Sequence, residues 1–153
     1  MKPPSRKILK VFSVKEAKYL EKNWIATFCK NKQGANIKAY KWHIFSSGIY
    51  PSIEGEKARY IYEQQKAPEF IILPNDCNDD EAILINQLPL LYDGQDCYVF
   101  PKNMAWTMAF THEEGWLGPY FAKNKNYKAL NLENKKKIEK NRQIKIAKEK
   151  GWI

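Results

Sequence analysis

Residues 95–111 read QDCYVFPKNMAWTMAFT, and this stretch decides the fold. Its two halves, 95–100 and 106–111, are rich in aromatic and other apolar residues, which is typical of buried strands. Residues 101–103 (Pro-Lys-Asn) are long enough for a hairpin loop, although they lack a sharp two-residue turn signal. The stretch therefore predicts two neighbouring antiparallel strands.

Three further segments predict strands upstream of this hairpin. Residues 70–73, FIIL, form a short apolar run that Pro74 stops, and residues 82–85 form another. Residues 39–45, AYKWHIF, are aromatic-rich and partly alternating, so we expect a strand there as well. The Ser-Ser-Gly sequence at 46–48 ends it.

Two segments have helical signals. Ser13 stands three residues before Glu16, the spacing of a capping box, and apolar residues follow at mostly helical spacing. The sequence therefore predicts a first helix over residues 14–30. Residues 54–65 carry apolar side chains at i, i+3 and i+4, which predicts a short amphipathic helix.

With 153 residues, the chain is long enough for one domain. We expect residues 1–122 to form it, with residues 1–13 as an extended lead-in because prolines at positions 3 and 4 exclude a regular helix. Residues 123–153 form a basic segment that is Lys/Asn-rich from Asn131 on. Its thin apolar stripe favours a helix weakly docked on the domain; one that orders only against a partner is the alternative. The predicted fold class is α+β, with a small, mostly antiparallel sheet.

The net charge of +9 is concentrated at the two ends of the chain. Residues 1–22 hold seven Lys/Arg against two Glu, and residues 123–153 hold eleven against three. Residues 23–122 hold eight against twelve Asp/Glu, a charge of −4. A basic groove in the domain is therefore not expected, and any contact with nucleic acid would come from the basic termini.

The chain has three cysteines without a CxxC spacing, which argues against a disulfide framework and against a zinc site. We expect reduced thiols and neither metal nor cofactor. No apolar run approaches the roughly 20 residues that a membrane span needs, and the N-terminus lacks the apolar stretch of a signal peptide. The sequence thus predicts a cytosolic protein.

An acidic turn separates the strands predicted at 70–73 and 82–85. Its carboxylates are Asp76, Asp79, Asp80 and Glu81. The twelve-residue pattern of an EF-hand is not met, so a solvated turn is one interpretation and a patch for a basic partner is the other.

His43 and His112 are the only histidines, about 70 residues apart, and we expect both on strands. They predict no local site, and the strand geometry would point His112 and Glu113 to opposite faces. A structural or partner-contact role is favoured over catalysis. A small hydrolase that uses His43, Ser46 or His112 is the weaker alternative, because no GxSxG elbow accompanies the serine.

Residues 106–121 are the most distinctive stretch: an aromatic strand leads into a Gly-Pro turn with two further aromatic residues. Together with WHIFS at 42–46 and EGEKA at 54–58, this stretch resembles an uncharacterised bacterial family, the domain of unknown function DUF4275. The resemblance spans about residues 19–122. The family-motif residues on which it mainly rests are Trp42, His43, Trp106, Gly118, Pro119, Tyr120 and Phe121.

The resemblance implies a small α+β domain without established enzymatic activity, found among immunity genes beside polymorphic or contact-dependent toxins. By that analogy we expect an immunity protein that binds one cognate toxin, such as a nuclease, and that catalyses no reaction itself. A nucleic-acid-binding accessory protein is the alternative. The candidate partner-binding residues are Asp76, Asp79, Asp80, Glu81, His112, Glu113 and Trp116.

Overall fold

The computed structural model describes residues 7–29, 40–90, 96–112 and 118–152. Within them the chain forms a single α+β domain with seven strands and four helices, which confirms the predicted fold class. In chain order the elements are β1 (Ile8–Val11), α1 (Val14–Phe28), α2 (His43–Ser46), β2 (Ile53–Glu54), α3 (Glu56–Glu63), β3 (Phe70–Pro74), β4 (Ile83–Ile85), β5 (Cys97–Pro101), β6 (Trp106–Phe110), β7 (Tyr120–Lys123) and α4 (Tyr127–Glu149).

All seven strands belong to one antiparallel sheet with the order β1-β4-β3-β5-β6-β7-β2. The predicted hairpin is confirmed, because β5 pairs with β6 from Cys97 opposite Phe110 onward. On its other side β5 pairs with β3, where Pro74 lies opposite Cys97. The end of β3 and the start of β5 therefore lie side by side at one end of the sheet.

Helices cover both faces of the sheet, and the alternation of the strand residues assigns each side chain to one face. On the first face, Trp24 and Phe28 of α1 and Phe45 of α2 pack against odd-numbered positions of β3 and even-numbered positions of β5. On the second face, Tyr62 of α3 packs with Trp106 of β6. Because both faces are covered, the strands β3, β5 and β6 are buried along their whole length.

The capping box at the start of α1 is present as predicted. The Ser13 hydroxyl accepts a hydrogen bond from the Glu16 backbone N–H at 3.1 Å, and the Glu16 carboxylate accepts one from the Ser13 backbone N–H at 3.1 Å. These two bonds satisfy two backbone donors that a helix start leaves unpaired. The helix ends at Phe28, close to the predicted position 30, which lies outside the described residues.

The strand predicted over 39–45 is wrong for the part that the structure describes. Tyr40 to Trp42 form a turn, and His43–Ser46 form the one-turn helix α2. Trp42 and Phe45 are 1% and 3% exposed, and their three-residue spacing places both rings on the same side of a helical turn. The aromatic residues of this segment therefore signal burial in the core, not pairing in the sheet.

Other elements differ from the sequence-based expectations in position. The extended lead-in contains β1, which pairs with β4 at the edge of the sheet. The Gly-Pro turn leads into β7, which runs across the expected boundary at residues 122 and 123. The basic helix α4 begins at Tyr127, one turn earlier than Asn131. None of the helices in the described ranges combines the length and apolar character that crossing a membrane requires.

Candidate functional site: an acidic cleft

The acidic turn follows β3 directly and is held by its own hydrogen bonds. The Asp76 carboxylate accepts a hydrogen bond from the Asn78 backbone N–H at 2.9 Å, and this bond lowers the pKa of Asp76 below its ordinary value. The backbone N–H groups of Asp79 and Asp80 donate to the Asp76 carbonyl. The turn thus holds the Asp76 carboxylate in place, and all four acidic residues of the turn are exposed.

Asp96, at the start of β5, lies beside this turn because β3 ends where β5 begins. The Asn75 backbone N–H donates to the Asp96 carbonyl at 3.0 Å. The Asp96 carboxylate accepts hydrogen bonds from Trp42 Nε1 at 2.9 Å and from the His112 backbone N–H at 3.2 Å. It also lies 2.8 Å from His112 Nδ1. These contacts fix the carboxylate at the end of the sheet.

A cleft of about 690 Å³ opens between the turn and the sheet. Four carboxylates line it, and among the described residues no lysine or arginine contributes to its lining. Three of the four predicted acidic residues are in this lining, whereas Asp79 is exposed on the same turn but outside the cleft. The lining residues are Tyr40, Ile72, Pro74, Asn75, Asp76, Asp80, Glu81, Ile83, Asp96 and Cys97.

Among the described residues, Lys41 brings a cation close to the cleft, and its ammonium group is paired on the inner side of the acidic turn. Its ammonium group lies 3.2 Å from the Glu21 carboxylate and donates to the Asn75 carbonyl at 2.5 Å. The Lys41 side chain is 7% exposed, so this charge is neutralised inside the domain. The charge of Lys41 still helps to lower the pKa of Asp76, but Lys41 is paired with Glu21 and four carboxylates line the cleft, so the cleft stays acidic.

Both histidines pack against Trp42, and the expectation that both lie on strands is wrong. His43 lies in α2 and His112 in a turn after β6, so neither is on a strand. The His43 and Trp42 rings are 4.4 Å apart, and the His112 ring lies 6.3 Å from Trp42 and 5.0 Å from Tyr40. The fold brings the two rings to one aromatic cluster at the edge of the cleft, although about 70 residues separate them in the sequence.

The cluster does not have the arrangement of a serine hydrolase in the part of the chain that the structure describes. Ser46 Oγ lies 3.4 Å from His43 Nδ1, within one helical turn, but the carboxylate of Asp96 pairs with His112 instead. A triad needs the base and the orienting carboxylate on the same imidazole. The Cys97 thiol beneath the cleft has its pKa raised to about 12 by burial, which disfavours the nucleophilic thiolate. Among the described residues no three His, Cys, Asp or Glu side chains are grouped to hold a metal ion.

The remaining family-motif residues pack in the core on both faces of the sheet or form the turn before β7. The Trp42 and Tyr120 rings stack on the first face of the sheet at 6.4 Å, and the Trp106 and Phe121 rings stack on the second face at 5.5 Å. Gly118 has a φ of 83°, and a Cβ there would lie 3.0 Å from the Thr111 side chain, so only glycine fits before the cis bond to Pro119.

Glu113 and Trp116, two of the predicted partner-binding residues, lie outside the described residues. Two residues of the cleft edge were not predicted from the sequence: Asp96 and Tyr40. Asp96 falls inside a predicted strand, and the pairing of β3 with β5 brings it to the acidic turn. Tyr40 falls inside another, and it is held there through its neighbour Lys41, whose backbone N–H donates to the Asn75 side chain at 3.1 Å.

Comparison with known proteins identifies the family but no individual relative. A search among curated proteins and a search among solved structures each found no match to this chain. One family profile matches residues 6–121, which include the acidic turn, Asp96, both histidines and the Gly-Pro turn. The chain therefore belongs to the family described as Domain of unknown function (DUF4275).

Proposed function

We propose that this protein is an immunity protein, which binds a cognate toxin in the cytosol and receives a basic surface of that toxin in the acidic cleft. The observation that carries the proposal is the lining of the cleft, to which the described part of the chain contributes four carboxylates and no lysine or arginine. Carboxylates that line one cleft repel one another, and a cationic side chain of a partner that enters the cleft relieves that repulsion.

A nuclease toxin has the complementary surface. Enzymes that cut nucleic acid hold a polyanion, so their active sites and substrate paths are positively charged. An acidic cleft that covers such a path competes directly with the substrate. In this reading the protein makes and breaks no bond, and inhibition consists of occupying the surface that the nucleic acid needs.

The aromatic edge of the cleft supplies the apolar part of the interface. Tyr40 is half-buried in the cleft lining, and His112 beside it has a side chain that is 38% exposed. Aromatic residues at such positions often contribute most of the binding free energy of an interface. Because Asp96 is held by Trp42 and His112, the acidic edge needs little reordering when a partner binds.

The first test of this proposal is protection from a toxin. The candidates are C-terminal domains of large secreted proteins encoded by neighbouring genes, and each is expressed alone and together with this protein. Growth should be restored only in the co-expressing cells, and the two proteins should purify as one complex. A toxin domain that stays lethal and unbound in the presence of the folded protein contradicts the proposal.

The second test asks whether the cleft is the contact site. Substituting Asp76→Asn, Asp80→Asn and Glu81→Gln removes three charges, while the amide introduced at position 76 still offers an oxygen to the turn. We expect association with the toxin domain to slow roughly tenfold at low salt and to depend less on salt, because exposed charges mainly steer encounter. Stopped-flow association rates at two salt concentrations measure this effect.

Two controls separate the cleft from total charge. The exposed carboxylates Glu63, Glu133 and Glu149 lie on α3 and α4, away from the cleft, and their triple Glu→Gln variant has the same net charge. Asp79→Asn changes a carboxylate on the same turn that points outside the lining. The association rates of the controls and of the cleft variant are compared per charge removed. If either control slows association as much per charge as the cleft variant does, the cleft is not the contact site.

A further inference from the structure

The second half of α4 extends beyond the domain. The first half is attached: the Asn103 side chain donates to the Leu130 carbonyl at 2.9 Å, and the buried Asn134 donates to Asn103 at 3.3 Å. Ile138 and Asn141 still lie beside the chain that leads into β3. Beyond Asn141, no hydrogen bond joins α4 to any other described element.

The projecting part is a complete helix with a defined end. The Trp152 backbone N–H donates to the Ala147 carbonyl at 2.8 Å, and the Gly151 N–H donates to the Lys148 carbonyl at 3.1 Å. With Gly151 at a φ of 72°, these bonds form a Schellman cap. We call residues 135–152 the basic arm, which begins with the last contacts to the domain, at Ile138 and Asn141, and continues into the projecting part. Its backbone stays helical up to this cap.

Basic residues lie on both faces of the arm, whereas its two glutamates lie on one face only. Residues 135–150 hold eight Lys/Arg against two Glu. Glu139 is paired with Arg142 at 2.6 Å, and both belong to one face. The opposite face carries two adjacent lysines and three further residues at spacings of three or four: Lys136, Lys137, Lys140, Ile144 and Lys148. Within the described chain none of these four lysines pairs with a carboxylate.

This lysine face suits nucleic acid better than a protein or a membrane. Lysine is depleted at the cores of protein interfaces, and Ile144 alone gives little apolar area for one. A membrane-bound helix needs a broad apolar face, which is absent from the described part of the arm. Nucleic-acid interfaces, by contrast, are strongly positive and rest on contacts to phosphates.

Trp152 at the tip adds a second kind of contact. Its side chain is 69% exposed, and the Lys150 ammonium lies 5.0 Å from the ring centroid. An exposed aromatic ring beside a cation is the arrangement on which unpaired bases stack in single-stranded complexes. We propose that the arm binds single-stranded nucleic acid, with the lysine face on the phosphates and Trp152 stacked on a base.

The experiment uses the full chain without any toxin, so its result is independent of the proposed immunity function. Fluorescence anisotropy measures binding of a labelled single strand of about twenty nucleotides and of the matching duplex at several salt concentrations. Replacing Lys136, Lys137, Lys140 and Lys148 by Gln should weaken single-strand binding at least tenfold. It should also reduce the slope of log K against log salt by roughly 3, since each lost phosphate contact contributes about 0.7.

Trp152→Ala should weaken the binding of the single strand roughly tenfold and leave the binding of the duplex unchanged, because only unpaired bases can stack on the ring.

The matched control for the lysine variant replaces four exposed lysines of α1 and α3 by Gln, with the same change of charge: Lys15, Lys18, Lys22 and Lys57. Equal losses in the two lysine variants overturn the assignment to the arm. Phosphatidylserine vesicles or polyglutamate binding as tightly as the single strand overturns the assignment to nucleic acid, and an unaltered Trp152→Ala affinity overturns the stacking contact.

Discussion

At the scale of single residues, Thr107 shows how a polar side chain is used inside an apolar sheet. It lies on β6, and its hydroxyl accepts a hydrogen bond from Trp24 Nε1 at 2.9 Å, across the boundary between sheet and α1. Both side chains are 0% exposed. Because a buried indole N–H without an acceptor is costly, this one bond specifies how α1 is oriented on the sheet.

Thr107→Val keeps the shape of the side chain and removes the acceptor. We expect it to lower the free energy of unfolding by about 1–3 kcal/mol, because the Trp24 N–H is left buried and unpaired. Urea unfolding measures the loss. In a Trp24→Phe background the donor is absent, so the same substitution should be nearly neutral. An equal loss in both backgrounds would show that the hydrogen bond is not its cause.

At the scale of elements, α1 illustrates a helix whose start is encoded within four residues. Lys10 adds to the capping box, since its ammonium group lies 2.5 Å from the Glu16 carboxylate. This hydrogen bond from Lys10, together with the one from the Ser13 backbone, lowers the pKa of Glu16 to about 2. The ionised form of Glu16 is therefore the one that stabilises the helix start.

The lowered pKa of Glu16 predicts that the stability of the fold depends on pH in the acidic range. Glu16 stabilises the fold above its ordinary pKa of 4.5, and this contribution is lost as the pH falls from there towards 2. Glu16→Gln should therefore be less stable than the unmodified protein at neutral pH, and the two should converge near pH 2. Thermal unfolding at a series of pH values measures the difference, with the exposed Glu63→Gln variant as the control. A difference that does not narrow with acid contradicts this assignment.

At the scale of the whole molecule, charge is separated along the sheet. The segment that leads into β3, Pro68 and Glu69, lies against the attached half of α4, whereas Pro74 at the end of β3 lines the acidic cleft. The basic arm and the acidic cleft therefore lie at opposite ends of the strands. This separation lets one small domain present two surfaces of opposite charge without neutralising either of them.

Burial also controls the reactivity of the cysteine thiols. All three cysteines are buried thiols, and burial raises the pKa of Cys77 and of Cys97 to about 12. Ellman's reagent should react with the native protein at pH 8 only as fast as the chain opens, and with all three thiols at once in urea. One thiol that reacts quickly in native protein, at a rate independent of urea, would contradict the structure.

The same raised pKa values predict a loss of stability in alkali. The folded state retains thiol protons that the unfolded chain releases, so the stabilisation is complete below about pH 9 and is lost as the pH rises towards 12. For each protein, the free energy of unfolding in alkali is compared with its own value at neutral pH. The decrease should be smaller in a Cys97→Ala variant than in the unmodified protein.

The sequence by itself determined the features that depend on neighbouring residues. The capping box sets the start of α1, the apolar runs 70–73 and 97–100 specify buried strands, and the carboxylates at 76–81 are too concentrated to be buried. The charge of the C-terminal helix is likewise a property of its composition. Each of these follows from local physics that no distant contact overrides.

Only the tertiary structure decided the features that depend on which distant residues meet. The aromatic residues at 40–45 favour burial whether the backbone is a strand or a turn, and the core around Trp42 selected the turn and α2. The pairing of β3 with β5 placed Asp96 beside the acidic turn, and packing on Trp42 brought His43 and His112 together. Hydrophobic periodicity indicates which residues of a segment are buried, but not which distant residues they pack against. The cleft depends on such distant contacts and therefore could not be predicted from the sequence.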